Sequence, residues 1–199
     1  MTLYTLYHAK KHAITKRLNQ FKNVSPDDYF YELCFCLLTP QSNGKRCDEA
    51  VQALIEKDFK HASFPLLPII QHKTRFHHTK AKHLLQMKHQ YSSIHSVFLN
   101  EKDPATLRMW LVQHVKGIGM KEASHFLRNI GFTGLAILDR HILKNLQRYK
   151  CIPALPRSLT QKNYLEIEEK FIQFSKNVGI SMDELDLLFW SMETGEVFK

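Results

Sequence analysis

Apolar residues recur at three- and four-residue intervals along most of the chain: Phe30-Leu33-Leu37, Cys47-Val51-Leu54, Leu107-Leu111-Val115, Ala123-Leu127-Ile130 and Ile167-Phe171-Phe174-Val178. Such spacing gathers apolar side chains on one face of a helix, and no strand-like alternation runs beyond a few residues. Start signals agree. Ser25-Pro26-Asp27-Asp28 and Asp103-Pro104 offer an N-cap followed by proline, and Ser181-Met182-Asp183-Glu184 has the form of a capping box. The pattern predicts an all-α fold of roughly eight to ten helices. Loops are expected near residues 23–26, 39–44, 63–68, 100–104, 117–119, 131–134 and 152–160.

Composition agrees with helices, with 25 Leu against 7 Val and only 7 Gly and 7 Pro among 199 residues. A hydrophobic fraction of 44% is enough for a core and argues against disorder. This length suits one compact unit or two small ones. Neither an internal repeat nor a low-complexity tract is evident. No apolar stretch is long enough to span a bilayer, and the first residues lack the apolar run of a secretion signal, so a soluble intracellular protein is expected. Cys34, Cys36, Cys47 and Cys151 lack the spacing of a zinc or iron–sulfur site and read as reduced, mostly buried thiols. His77, His78, His83 and His89 are dense, but no acid or Cys completes a ligand set around them. No catalytic metal or other cofactor is therefore expected. With 28 Lys and Arg against 19 Asp and Glu, the formal charge is +9, which for an intracellular protein points to nucleic acid.

Chemistry concentrates between residues 107 and 130, where two amphipathic helices flank Gly117-Ile118-Gly119. A Gly-x-Gly turn can adopt positive φ and approach a ligand closely, so its N–H groups and the following helix start form a seat for a DNA phosphate. A plain helical hairpin would show the same turn. Lys121 lies at the start of the second helix, where a cation meets the positive end of the dipole and has reason to lose its proton, leaving a nucleophilic amine. A solvated lysine is the alternative. Eighteen residues on, Asp139 follows an apolar segment and precedes Ile142-Leu143-Leu146, so it reads as a helix N-cap and also as a carboxylate able to face Lys121.

These residues resemble the helix-hairpin-helix DNA glycosylases, whose signature runs Leu-Pro-Gly-Val-Gly-x-Lys with an acid further along. Val115-Lys116-Gly117-Ile118-Gly119-Met120-Lys121 and Leu138-Asp139-Arg140-His141 fit it, with Val-Lys replacing Leu-Pro. A lysine beside the acid resembles the bifunctional branch, which joins base excision to strand cleavage. Leu37-Leu38-Thr39-Pro40-Gln41-Ser42-Asn43 is similar to the loop that fills the hole left by an extruded base, which assigns that task to Gln41. As a bare sequence the same loop could simply cap the next helix from Ser42 or Asn43. Arg75-Phe76-His77-His78-Thr79-Lys80-Ala81-Lys82 resembles the family's Lys-Ala element and directs Lys80 and Lys82 toward phosphates.

No clustered cysteines follow Cys151, unlike endonuclease III-like members. The ending Leu187-Leu188-Phe189-Trp190 through Phe198-Lys199 resembles the compact 8-oxoguanine DNA glycosylase/lyases found mainly in archaea and some bacteria. In that group the terminal lysine's carboxylate accepts from guanine and a tryptophan stacks on the base, which Lys199 and Trp190 match. A carboxylate suits the paired N1–H and N2–H donors of guanine, and Phe76 offers a second aromatic face.

The resemblance implies an enzyme, an 8-oxoguanine glycosylase/AP lyase with catalytic Lys121 and Asp139. Its DNA contacts would be Gln41, Gly117, Gly119, Lys116, Lys80, Lys82 and Arg140. It also implies a monovalent cation at the carbonyls of Gln113, Val115 and Ile118. The expected architecture is a six-helix subdomain over 28–135 and a second built from 1–27 and 136–199, with a DNA-binding cleft between them. A monomer acting on double-stranded DNA that contains oxidised guanine is expected. The alternatives are a glycosylase for oxidised pyrimidines without an iron–sulfur cluster, and a non-catalytic helix-hairpin-helix DNA-binding module.

Overall fold

The structure, a computed structural model, describes residues 2–199. It contains helices and no strands among those residues. In chain order the helices are α1 (Leu3–Lys22), α2 (Tyr29–Leu38), α3 (Gly44–Glu56), α4 (Leu67–Ile70), α5 (His77–His89), α6 (Tyr91–Asn100), α7 (Pro104–His114), α8 (Met120–Asn129), α9 (Arg140–Arg148), α10 (Gln161–Val178) and α11 (Met182–Thr194). Ser25-Pro26 begins a 3-10 turn, Pro26–Asp28, in place of a full helix start. The short α4 begins inside the expected 63–68 loop and runs past it to Ile70.

Two compact units are present, residues 24–126 and residues 1–23 with 127–199. The division at 126 lies inside α8. In the 24–126 unit α2 is central. Seven of its ten residues, from Phe30 to Leu38, are buried, so it is apolar around its circumference and must be covered on all sides. Phe30 meets Tyr91 edge-on at 4.9 Å and Phe59 at 5.7 Å, and α3 and α5 pack along α2.

In the other unit α11 is the hub, packed by α1, α9 and α10. Its Phe189 lies between Tyr149 at 5.5 Å and Phe171 at 6.1 Å, both nearly parallel to it. The capping box at its start is formed: Ser181 Oγ accepts from Glu184 N, and Glu184 Oε2 accepts from Ser181 N. Cys34, Cys36 and Cys47 are buried and Cys151 is half-buried, none of them in a disulfide.

Candidate active site

The hairpin is built as its sequence implies. Asp103 caps α7 by accepting from Thr106 N at 2.7 Å, α7 stops at His114, and the Ile118 N–H donates to Val115 O at 3.1 Å to close the turn. Gly117 has φ +91°, and a Cβ there would lie 2.3 Å from His83 Nδ1. This position therefore excludes a side chain twice, by backbone conformation and by space. Burial, with Lys116 nearby, pushes the His83 imidazole below its usual range. Gly119 departs from expectation. It lies outside the positive-φ region, and its constraint is steric, a Cβ there meeting Glu122 Oε2 at 3.1 Å.

Lys121 is the second residue of α8 and half-buried. Its Nζ lies 3.0 Å from Glu122 Oε1, with the two side chains 26% and 15% exposed. The Glu122 carboxylate is a partner that the helix-dipole expectation for Lys121 did not include. Its signal was available, since an acid three residues into a helix suits the positive end of the dipole. In this state the amine is one half of a shielded ion pair.

Lys80 requires a correction. Expected to face phosphate, it is 5% exposed, with its Nζ turned inward. It donates to Leu38 O, Pro40 O and Thr74 Oγ1 at 2.7 Å each and lies 3.1 Å from Ser42 Oγ. An ammonium so engaged and so covered cannot reach a DNA backbone. Burial lowers its pKa to about 8, Lys121 and Arg75 adding to the fall while Cys47 and Glu122 oppose it. Lys82 and Lys116 are exposed, as is Gln41, whose φ is +54°. Asn43, rather than Ser42, caps α3, accepting from Arg46 N at 3.1 Å. Phe76 is 56% exposed at φ +56°, with the Arg75 guanidinium 5.4 Å from its ring.

In the other unit a buried extended segment, Leu135–Leu138, delivers Asp139 to α9. Its backbone groups are satisfied by α10: Ala136 N donates to Glu168 Oε1 at 2.7 Å, while Tyr164 OH donates to Ala136 O at 2.6 Å and accepts from Leu138 N at 3.2 Å. Asp139 Oδ1 then caps α9 by accepting from His141 N and Ile142 N at 2.7 and 2.8 Å. Near it the buried Arg128 guanidinium pairs with Asp186 at 3.0 Å and lies 4.6 Å from the Phe21 ring. Burial pushes the Asp186 carboxyl up to about 7, against the pull of Arg128 and with Asp139 and Asp183 adding to the rise. Arg140 is exposed. Trp190 is half-buried with Phe198 at 5.9 Å, so the last residues fold back beside it, and Lys199 is half-buried too. No group of three or more His, Cys, Asp or Glu among the described residues could hold a metal ion.

A helix-hairpin-helix carrying a lysine, with an aspartate-capped helix eighteen residues on, defines a class of DNA glycosylases. Residues 14–180 match the Ogg-HhH model of 8-oxoguanine DNA glycosylases, and the chain belongs to that family. An 8-oxoguanine DNA glycosylase/AP lyase of Fusobacterium nucleatum is 39% identical over 98% of this chain and 94% of its own. One from Korarchaeum cryptofilum is 35% identical over 95% and 91%. Among solved structures, the Methanocaldococcus jannaschii 8-oxoguanine glycosylase/lyase in complex with a 15mer DNA containing 8-oxoguanine aligns with a TM-score of 0.88, at 32% identity and full coverage of both chains. The 8-oxoguanine DNA glycosylase of Thermotoga maritima also gives 0.88, at 30% identity, covering 99% of this chain and 96% of its own.

Proposed function

We propose that this protein is a bifunctional DNA repair enzyme that excises 8-oxoguanine from duplex DNA and cleaves the strand at the resulting abasic site. One observation carries the reading. A shielded lysine stands at the start of the helix after the Gly117 turn, in a chain similar over nearly its whole length to 8-oxoguanine DNA glycosylase/AP lyases.

In this reading the backbone of Gly117–Gly119 seats a phosphate, Lys116, Lys82 and Arg140 hold neighbouring phosphates, and Gln41 occupies the space left by the extruded nucleotide. Trp190 and Phe76 supply aromatic faces, and the Lys199 carboxylate accepts from the guanine edge. Lys121 gives a proton to Glu122 and, as a neutral amine, attacks C1′. The glycosidic bond breaks, and the base departs with its electron pair and takes up a proton. Asp139 stabilises the positive charge that develops on the sugar and moves protons for ring opening. The resulting imine makes the C2′ hydrogen acidic, and its loss expels the 3′ phosphate. The carbonyls of Gln113, Val115 and Ile118 lie where α7 ends and before α8 begins, with the negative end of the α7 dipole among them. This donor set suits a monovalent cation, which would neutralise charge beside the phosphate seat.

The test is borohydride trapping on an 8-oxoguanine duplex. The wild type should yield a covalent adduct, whereas Lys121→Gln should bind the duplex with similar affinity and yield none. An adduct in that variant removes Lys121 from its role, and a wild type that binds lesion and intact duplex equally without excision is a DNA-binding module.

A further inference from the structure

Among the described residues, Gln41 and Phe76 are two of four non-glycine residues with positive φ, the others being Asp58 and Lys150. Both are exposed, and both sit on the rim of a single polar network in the 24–126 unit. Left-handed backbone at such residues is strained and persists only where the surroundings over-determine it. Here the surroundings are Lys80 and two hydroxyls. The Lys80 ammonium donates to the carbonyls of Leu38 and Pro40 on the Gln41 side and to Thr74 Oγ1 on the Phe76 side. Ser42 Oγ lies 2.9 Å from Thr74 Oγ1 and accepts from Arg75 N at 2.9 Å, so each loop is tied to the other directly as well as through the ammonium. All four groups around Nζ are neutral. A charge buried without a paired anion is costly, and an apolar residue would fill the space more cheaply if filling were all that was needed.

We propose that Lys80 is a positioning residue for base extrusion: its buried ammonium clamps the 39–43 loop to the 74–76 turn, holding Gln41 and Phe76 rigidly presented to the duplex. This rests on the reading of the protein as an enzyme that extrudes its target nucleotide. Two rigid tips can be inserted into a base stack without first losing conformational freedom, whereas loose ones would have to be ordered as they enter. A phosphate contact by Lys80 would have raised affinity alone. A clamp acts on the step in which the base leaves the stack.

The experiment compares wild type with Lys80→Met, which keeps the apolar stem and removes the charge. Three readings are taken: the fluorescence rise of a 2-aminopurine placed next to 8-oxoguanine, single-turnover excision from that duplex, and borohydride trapping at a pre-formed abasic site, where no base has to be unstacked. We expect extrusion and excision to slow by roughly tenfold or more, with trapping at the abasic site changed by less than about twofold. In a Gln41→Ala background the Lys80→Met effect should shrink, because the two act through one element. Parallel loss of excision and trapping, unchanged extrusion, or full additivity with Gln41→Ala overturns the proposal. If Lys80→Met does not fold, Thr74→Val, which removes the hydroxyl shared by both loops and leaves Lys80 in place, should give the same ratio of effects. A wild type that neither excises 8-oxoguanine nor traps at abasic sites overturns the enzymatic reading instead.

Discussion

Gly117 shows how much one residue can decide. Its φ of +91° and the His83 ring behind it leave no room for a methyl group, so Gly117→Ala must move the turn, the imidazole or both. We expect a loss of stability of about 1–3 kcal/mol, read as a lowered Tm, with weaker binding to every duplex irrespective of lesion. Asp186 makes a prediction about pH. Its folded pKa of about 7 lies above the ordinary carboxylate value, so between pH 4 and 7 the folded state binds the extra proton. Its contribution to stability is therefore largest at acid pH, declines as pH rises toward 7 and is level above that. Asp186→Asn should remove this slope from a plot of unfolding free energy against pH, and a slope unchanged in the variant would refute the assignment. The residues proposed for the site were legible as candidates: Lys121, Asp139 and the turn glycines stand in one linear motif. The inward turn of Lys80 was not, because its acceptors Leu38 and Pro40 lie forty or more positions away in the chain.

Elements were read more reliably than their neighbours. Caps, prolines and apolar spacing act within four residues, so the starts of α7, α9 and α11 follow from local chemistry. The α11 box is coupled to α1 as well, since Tyr7 OH donates to Glu184 Oε1 at 2.7 Å. Ser181→Ala should cost about 1 kcal/mol, lowering Tm by roughly 2–4 °C in a chain of this length, with excision unchanged at temperatures below the transition. A much larger fall would mean that the box also orders the α1 contact. The extended run Leu135–Leu138 is an element of another kind, held by Glu168 and Tyr164 instead of by its own periodicity. Its apolar composition marked it as buried, but nothing local named the two α10 side chains that take up its backbone groups.

At the scale of the whole molecule, positive charge is shared. Residues 24–126 carry 13 Lys and Arg against 10 Asp and Glu, and the other unit carries 15 against 9. Duplex affinity should therefore fall steeply with salt, and Lys116→Ala, Lys82→Ala and Arg140→Ala should each reduce the slope of log K against log salt by about one. Lys80→Met should leave that slope unchanged, since its charge is buried. What the sequence determined by itself was the all-α class, the positions of most helices and the hairpin with its lysine and aspartate, because periodicity, capping and glycine turns are written within a few residues of chain. Tertiary structure alone decided that Lys80 faces inward, that Lys121 is half-buried, and that Trp190 meets Phe198. Burial and orientation are set by what packs across from a side chain, and no local pattern specifies that partner.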